Sequence, residues 1–266
     1  MIKTIDLNFQ GIKSTVACFL LKINKELALI ECGPESCLKN LKSEIKKNGA
    51  NIYVHPFGKS HLINPEKLIA SAKIIYGKSM NKLWGNIEEI DENKVIPVND
   101  KEKIKINHVE IKALHTPGHA KQHISWVIGD SVFTGDVAGA KINNGPLVPA
   151  CPPPDINVEE WEKSLEIIKK ENAKFLYFTH FGKFSYEENE IINLQNTLKE
   201  WLIWVKKNKD QNETVLIEKF KVYIKKSLKS KLVDDQTIEQ YCIANPPYMS
   251  ILGLKRVLIK KNYDKA

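Results

Sequence analysis

Apolar and polar positions along the first half of the chain follow patterns that predict strands. Continuous or alternating apolar runs occupy residues 2–9, 14–23, 27–31 and 51–54. Gly33-Pro34 interrupts the pattern ahead of a lysine-rich stretch that predicts a helix ending at Asn48-Gly49. Proline near a helix start and glycine after its end are the expected signals. A second helix is predicted over 66–76.

The middle of the chain has the pattern of a strand-rich region with one long helix. Short strands are predicted over 94–98, 103–106, 109–114, 124–128 and 132–133, with a hairpin turn at Gly129-Asp130. A helix over 155–170 and a strand over 174–178 follow. Strands mixed with helices in this way indicate a layered α/β (α+β) protein.

Beyond Ser185 the pattern becomes helical. Four helices are predicted over 186–207, 213–230, 235–243 and 247–260, and their aromatic and aliphatic residues are read as core positions: Trp201, Trp204, Phe220, Tyr223, Leu254 and Leu258. The change of pattern predicts two parts, residues 1–184 with the sheets and residues 185–266 as a C-terminal helical extension.

Composition sets outer bounds on the function. A chain of 266 residues with 42% hydrophobic content can bury a sizeable core. No apolar run approaches the ~20 residues of a membrane span, and the N-terminus lacks a signal-peptide layout. We therefore expect a cytoplasmic protein without a membrane partner. The net charge is +8, but Arg256 is the only arginine, which argues against specific nucleic-acid recognition because arginine supplies the favoured bidentate contacts.

The five cysteines predict reduced thiols rather than a disulfide framework. Their number is odd, their spacing is irregular and no Cys-x-x-Cys pair occurs. Cys18 lies in an apolar run and is read as core packing. Cys32 and Cys37 flank the turn after an early strand, where packing is the favoured reading over a ligand role.

Three potential metal ligands each follow or end a predicted strand. They belong to the segments His115-Thr-Pro-Gly-His119, Phe133-Thr-Gly-Asp136 and Phe178-Thr-His180. His119 follows a strand, Asp136 ends the next hairpin and His180 ends a later strand, so their side chains are expected to converge at one edge of the sheets. Imidazoles and a carboxylate on rigid strand ends suit a hydrolytic metal ion that keeps an open position for water.

These segments, together with Ala28-Leu-Ile-Glu-Cys-Gly-Pro-Glu-Ser36 and Ile52-Tyr-Val-His-Pro-Phe-Gly58, occur in the order of the metallo-β-lactamase superfamily. The chain resembles the stand-alone metallo-hydrolases of that family that carry a helical C-terminal extension. The resemblance implies an αββα sandwich and a small-molecule substrate. It also implies that His119 is a ligand of one metal, Asp136 a bridging carboxylate and His180 a ligand of a second metal, with His115 as a supporting group.

The sequence departs from the family in one block. No His-x-His-x-Asp-His segment lies between the helix after Ser36 and the strand at 51–54, so a strand-helix unit of roughly thirty residues is expected to be missing. Its former neighbours should have unpaired strand edges. The remaining ligands predict at most one ion, with zinc favoured and iron or manganese as alternatives.

Four other histidines enter the interpretation of the site. His55, His61 and His123 are candidate supporting groups or alternative ligands, and His108 is read as a surface residue.

Two functions of different classes remain open. In the first, a metal-activated water attacks an ester, thioester, lactone or phosphoester. In the second, the chain is a catalytically inactive relative, either a binding or scaffold protein or an internally deleted gene product. Gly-x-Ser-x-Gly, Walker and Gly-x-Gly-x-x-Gly motifs are absent. No catalytic residue is assigned, and a homo-oligomer is left open.

Overall fold

The computed structural model describes residues 1–44 and 50–263. The strands are β1 Ile2–Asp6, β2 Ala17–Ile23, β3 Glu26–Ile30, β4 Ile52–Val54, β5 Val95–Pro97, β6 Lys103–Ile106, β7 Val109–His115, β8 Ile124–Ile128, β9 Ser131–Ala140, β10 Phe175–His180 and β11 Gly182–Ser185. The helices are α1 Leu38–Glu44, α2 Pro56–Ile63, α3 Glu66–Tyr76, α4 Met80–Leu83, α5 Val158–Lys170, α6 Glu188–Asn208, α7 Glu213–Ser230, α8 Asp235–Ala244 and α9 Pro247–Tyr263.

Two sheets pack face to face at the centre of the molecule. One has the order β1-β2-β3 and the other the order β11-β10-β9-β8-β7-β6. Phe19 and Ile30 of the first sheet share a buried cluster with Phe133 and Tyr177 of the second. The Phe133 and Tyr177 rings stack with centroids 4.5 Å apart, and Phe19 meets both edge-on. Alternating apolar positions on the inner faces therefore hold the two sheets together.

Helices cover the outer face of each sheet. Leu41 of α1 packs with Ile5 and Cys18 behind the three-stranded sheet. Trp161 and Leu165 of α5 are fully buried in the cluster behind the six-stranded sheet. The layers run helix, sheet, sheet, helix, so the predicted layered α/β fold with C-terminal helices is confirmed.

The four C-terminal helices share a hydrophobic cluster with the six-stranded sheet. Trp201, Phe220 and Leu254 are buried in the same cluster as Leu176 and Phe178 of β10. Three other predicted core residues are partly buried against it: Trp204, Tyr223 and Leu258. None of the described helices is long and apolar enough to cross a membrane.

A third, separate sheet consists of β4 and β5, which pair in parallel. Within residues 1–44 and 50–263, β3 pairs with β2 as its one strand neighbour, and β4 pairs with β5 alone. Both are therefore edge strands among the described residues. The predicted helix end at Asn48-Gly49 and the junction at Gly49 lie outside the described residues.

Several local predictions are corrected. The strand expected over 2–9 ends at Asp6, because Asn8 and Gln10 adopt positive φ values of 50° and 55°. The short strand expected over 132–133 is the ten-residue β9, so Asp136 lies inside a strand and does not end one. The α2 helix was not predicted.

Candidate metal site

The loop after β7 brings His119 against α5. Gly118 in this loop has a φ of 125°, and a Cβ atom there would lie 2.3 Å from the Cα atom of Trp161. Only glycine allows this backbone conformation and this approach. Asn157 donates its backbone N–H to the Gly118 carbonyl at 2.9 Å, and Ser164 donates its hydroxyl to the Pro117 carbonyl at 2.6 Å. The start of α5 therefore fixes the position of His119.

Asp136 lies at an irregular point of β9 that is supported by His123. Gly135 has a φ of 55°, and its missing side chain leaves room for the His123 ring. The Asp136 backbone N–H donates to His123 Nε2 at 3.1 Å, while His123 Nδ1 lies 2.8 Å from Thr116 Oγ1. Burial, followed by repulsion from His119, lowers the pKa of His123 to about 3. His123 is therefore a neutral ring whose two nitrogens are both occupied.

His180 is the last residue of β10, where the two sheets meet. Its Nδ1 lies 2.6 Å from the carbonyl oxygen of Thr15, a buried residue just before β2. Since a carbonyl can only accept, Nδ1 carries the hydrogen and donates it. His119 repeats this arrangement, with Nδ1 2.9 Å from the Ala150 carbonyl. In both rings the Nε2 nitrogen is thereby directed away from the backbone partner.

The three predicted ligands converge. His119 Nε2 lies 3.4 Å from Asp136 Oδ2, and His180 Nε2 lies 3.3 Å from Asp136 Oδ1. Each histidine therefore faces a different oxygen of the Asp136 carboxylate, which lies between the two rings.

The negative charge of Asp136 and the positive charge that a histidine can carry stabilise each other where the three side chains converge. Burial alone would raise the pKa of the Asp136 carboxyl, but the charges of His119 and His180 outweigh it and lower that pKa. Burial would also lower the pKa of His180, whereas its interaction with the nearby Asp136 carboxylate outweighs burial and raises that pKa. A positive charge beside Asp136 is therefore favoured, whether it is a proton on His180 or a cation.

Glu31 is a residue of this site that sequence analysis did not single out. It follows β3 with a φ of 62°, and its Oε1 atom lies 3.5 Å from where a Gly135 Cβ would be. Burial of the carboxyl and repulsion from Asp136 raise the pKa of Glu31, although the residue as a whole stays exposed to solvent. An acidic residue directly after an apolar strand was the available signal.

The chemistry of His119, Asp136 and His180 suits the metal ion that the resemblance implies, although their present arrangement does not enclose one. Within the described ranges, no group of three or more His, Cys, Asp or Glu side chains is arranged to hold a metal ion as it stands. The chemistry nevertheless fits, because Asp136 Oδ1 is buried without a hydrogen-bond partner. Two ligands of a tetrahedral zinc ion are about 3.3 Å apart, close to the 3.3 Å and 3.4 Å contacts.

Of the other histidines, His55 directly follows β4 and His115 ends β7. His55 and His115 stack with centroids 4.1 Å apart. His115 Nε2 lies 2.9 Å from the Val98 carbonyl, and His55 Nδ1 accepts from the Phe57 backbone N–H at the start of α2. Burial and repulsion from His115 lower the pKa of His55. His61 lies within α2, and His108 is exposed in the turn between β6 and β7.

Comparisons with known proteins agree with this architecture. A curated relative, a metallo-beta-lactamase fold-containing protein of Sulfurisphaera tokodaii, is 33% identical over 124 residues, which are 45% of this chain and 45% of the relative. The match thus spans less than half the length of that relative.

Two solved structures of the same superfamily share the fold. An archaeal metallo-beta-lactamase superfamily protein from Sulfolobus tokodaii has a TM-score of 0.61 at 23% identity, covering 74% of this chain and 86% of its own. A metallo-beta-lactamase family protein from Thermus thermophilus has a TM-score of 0.65 at 14% identity, covering 98% of this chain and 93% of its own. A sequence profile of the metallo-beta-lactamase superfamily matches residues 44–180, more than half of the chain. The chain belongs to the metallo-beta-lactamase superfamily.

Proposed function

We propose that this protein is a metal-dependent hydrolase whose single ion is held by His119, Asp136 and His180. One observation carries the proposal: both histidines fix Nδ1 on a backbone carbonyl and direct Nε2 to the two oxygens of the same carboxylate. This is how imidazole ligands are oriented in metal sites. Zinc suits the two nitrogens and one oxygen, with iron or manganese as alternatives.

In this proposal some residues bind the metal ion and others hold those ligands in position. His119 and His180 supply neutral nitrogen donors, and Asp136 supplies the negative charge that favours a cation. His123 holds the Asp136 backbone through its Nε2 atom. Glu31 adds a second carboxylate, which can orient a water molecule by hydrogen bonding. When bound, the ion would supply Lewis acidity and a water acidic enough to attack an ester, thioester, lactone or phosphoester.

The alternative is a catalytically inactive relative that binds a partner or ligand. One observation favours this alternative: β3 and β4 belong to different sheets. The sequence between them lacks the segment that carries the family's other ligands. Such a protein would keep the fold and would bind metal weakly or not at all.

The test begins with metal content after purification without a histidine tag. We expect at most one zinc, iron or manganese ion per chain in elemental analysis. Changing His119 or His180 to Ala, or Asp136 to Asn, should release it. His108→Ala is the matched control, because His108 is exposed in a turn. Equal metal content in all four variants would reject the site.

Turnover is then measured with p-nitrophenyl acetate, a thioester, a lactone and bis-p-nitrophenyl phosphate. Hydrolysis that needs the ion supports the hydrolase. A loaded protein that turns over none of the four would favour the inactive relative.

A further inference from the structure

The carbonyl that orients His119 belongs to a segment between β9 and α5, residues 141–157. Within it, Ala150 is buried and accepts from His119 Nδ1 at 2.9 Å. The ring can rotate only if this hydrogen bond breaks or if Ala150 moves with it. The direction of His119 Nε2 therefore depends on where the Ala150 peptide lies.

Asn245, the residue directly after α8, holds the peptide on one side of Ala150. Its Nδ2 atom donates to the Pro149 carbonyl at 2.6 Å, and Asn245 is only 6% exposed. Its backbone N–H donates to the Tyr241 carbonyl, and its Oδ1 accepts from the Ser250 hydroxyl at 3.4 Å. These contacts fix which end of the amide faces Pro149.

The α9 helix holds the peptide on the other side. Gly253 lies so close to this segment that a Cβ atom there would be 2.0 Å from the Cys151 carbonyl oxygen. Cys151 is fully buried. Ala150 is thus enclosed between a hydrogen bond from α8 and a backbone contact with α9.

We propose that Asn245 is a positioning residue for His119. It acts through the Pro149 carbonyl and the adjoining Ala150 peptide, so the C-terminal helices form part of the support of the metal site. This inference rests on the proposed function for the role of His119 as a ligand. Without the amide, the Pro149 carbonyl becomes a buried acceptor without a donor, and the segment must shift to find one.

The first test uses the metal-free protein, so that it does not depend on activity. Nitrogen-15 NMR of the imidazoles reports which ring nitrogen carries the hydrogen, and the His119 signals are assigned by their loss in His119→Ala. In the unchanged protein we expect the hydrogen on Nδ1. In Asn245→Ala and Asn245→Asp, which both lack the donor, we expect a mixture of the two neutral forms.

Gln240→Ala is the matched control. Gln240 lies on α8 and donates its side-chain amide to the Lys13 carbonyl at 2.9 Å. Its hydrogen bond with the 141–157 segment is the long 3.4 Å one that it accepts from Asn143 Nδ2, seven residues from Ala150. Gln240 is 7% exposed. Its loss should lower the melting temperature without changing His119. Gly253→Ala displaces the same peptide from α9 and keeps the test decisive if the Asn245 variants do not fold.

The second test measures cobalt(II) binding by absorbance. Asn245→Ala should weaken the Kd by roughly tenfold or more, as changes to supporting partners of metal ligands do, while Gln240→Ala should stay within about twofold. Unchanged His119 signals in folded Asn245→Ala and Gly253→Ala would overturn the inference, and so would unchanged cobalt affinity. If the unchanged protein binds no cobalt but its His119 signals respond as expected, the positioning role stands and the proposed function fails.

Discussion

Asp136 is the residue on which the chemistry of this site depends. It lies between two imidazoles and beside a second carboxylate, Glu31, so an excess of negative charge accumulates unless a cation joins them. The raised pKa of His180 favours a proton in this role in the metal-free protein. A metal ion bound in the proposed site would compete with that proton for the same nitrogen, because only deprotonated imidazole binds metal.

This competition predicts opposite effects of pH on the free energy of unfolding. In the metal-free protein, the stabilisation by His180 is complete below its unfolded pKa of about 6.5 and is lost as pH rises through its higher folded pKa. The raised pKa of Glu31 acts in the same direction. The stabilisation by Asp136 disappears only at acidic pH, because its pKa is lowered.

We therefore expect the melting temperature to fall between about pH 6 and pH 9 with a chelator present, and stabilisation by added zinc to grow over the same range. Thermal unfolding at stepped pH measures both trends. His180→Gln should flatten the chelator curve. Parallel curves with chelator and with zinc would contradict the shared-nitrogen argument.

Gly118 offers a second prediction at the residue scale. Gly118→Ala combines an unfavourable φ of 125° with backbone atoms of Trp161 at 2.3 Å, so we expect a loss of about 2 kcal/mol or more in the free energy of unfolding. The matched control is Gly129→Ala, where φ is 58° and nothing lies within 4 Å. There the loss should be about 1 kcal/mol. Denaturant unfolding measures both, and equal losses would contradict the packing argument.

At the scale of elements, the amphipathic helices were the most predictable part of the chain. The helix expected over 213–230 is observed with the same bounds, because its apolar spacing alone specifies its buried face. The α2 helix was missed because Pro56 and Gly58 in its first turn resemble a loop, although His55 caps it. β9 is longer than predicted because the strand continues through Gly135 and Gly139, a residue type that is depleted in strands.

In the site, too, features that follow from the local sequence pattern were predictable, and features that depend on distant contacts were not. The convergence of His119 and His180 could be predicted because both lie at or just after a strand end, whereas Asp136 lies inside β9. Glu31 and Asn245 could not be predicted, because their roles depend on contacts between elements far apart in the sequence. Hydrogen bonds to the Ala150 and Thr15 carbonyls carry no side-chain signature at all.

The edges of β3 and β4 give a prediction at the element scale. A strand edge has backbone N–H and C=O groups available for pairing, and each of these strands has one strand neighbour in the described chain. Inserting a family member's strand-helix unit between Gly49 and Ala50 should therefore pair these edges and supply the missing histidines and aspartate. We expect more than one metal ion per chain by elemental analysis, together with ester or phosphodiester hydrolysis.

A flexible glycine-serine insert of equal length is the control for that experiment, and it should leave metal content unchanged. If the strand-helix insert also leaves metal content unchanged, the interpretation of a lost block is wrong. A rebuilt site around His55 and His61 would then be the next place to search.

At the scale of the whole molecule, the sheets and the C-terminal helices depend on a common core. Val132 and Phe178 of the six-stranded sheet lie in the same buried cluster as Leu198, Phe220 and Leu254 of the helices. Tyr241 of α8 donates its hydroxyl to the Pro146 carbonyl at 2.7 Å, in the segment that supports His119. The C-terminal helices and the six-stranded sheet therefore share one hydrophobic cluster.

The last prediction follows from that shared core. A chain ending at Ser185 would expose the apolar faces of β10 and α5 that the helices cover, and burial contributes roughly 25 cal/mol per Å² of apolar surface. We expect this fragment to lose cooperative thermal unfolding and cobalt binding together, whereas a chain ending at Tyr263 should melt like the full-length protein. Calorimetry and cobalt absorbance on the same samples measure both properties. A fragment of residues 1–185 that unfolds cooperatively within a few degrees of the full chain would show instead that the sheets form an independent domain, because the cluster would then not be needed to hold them.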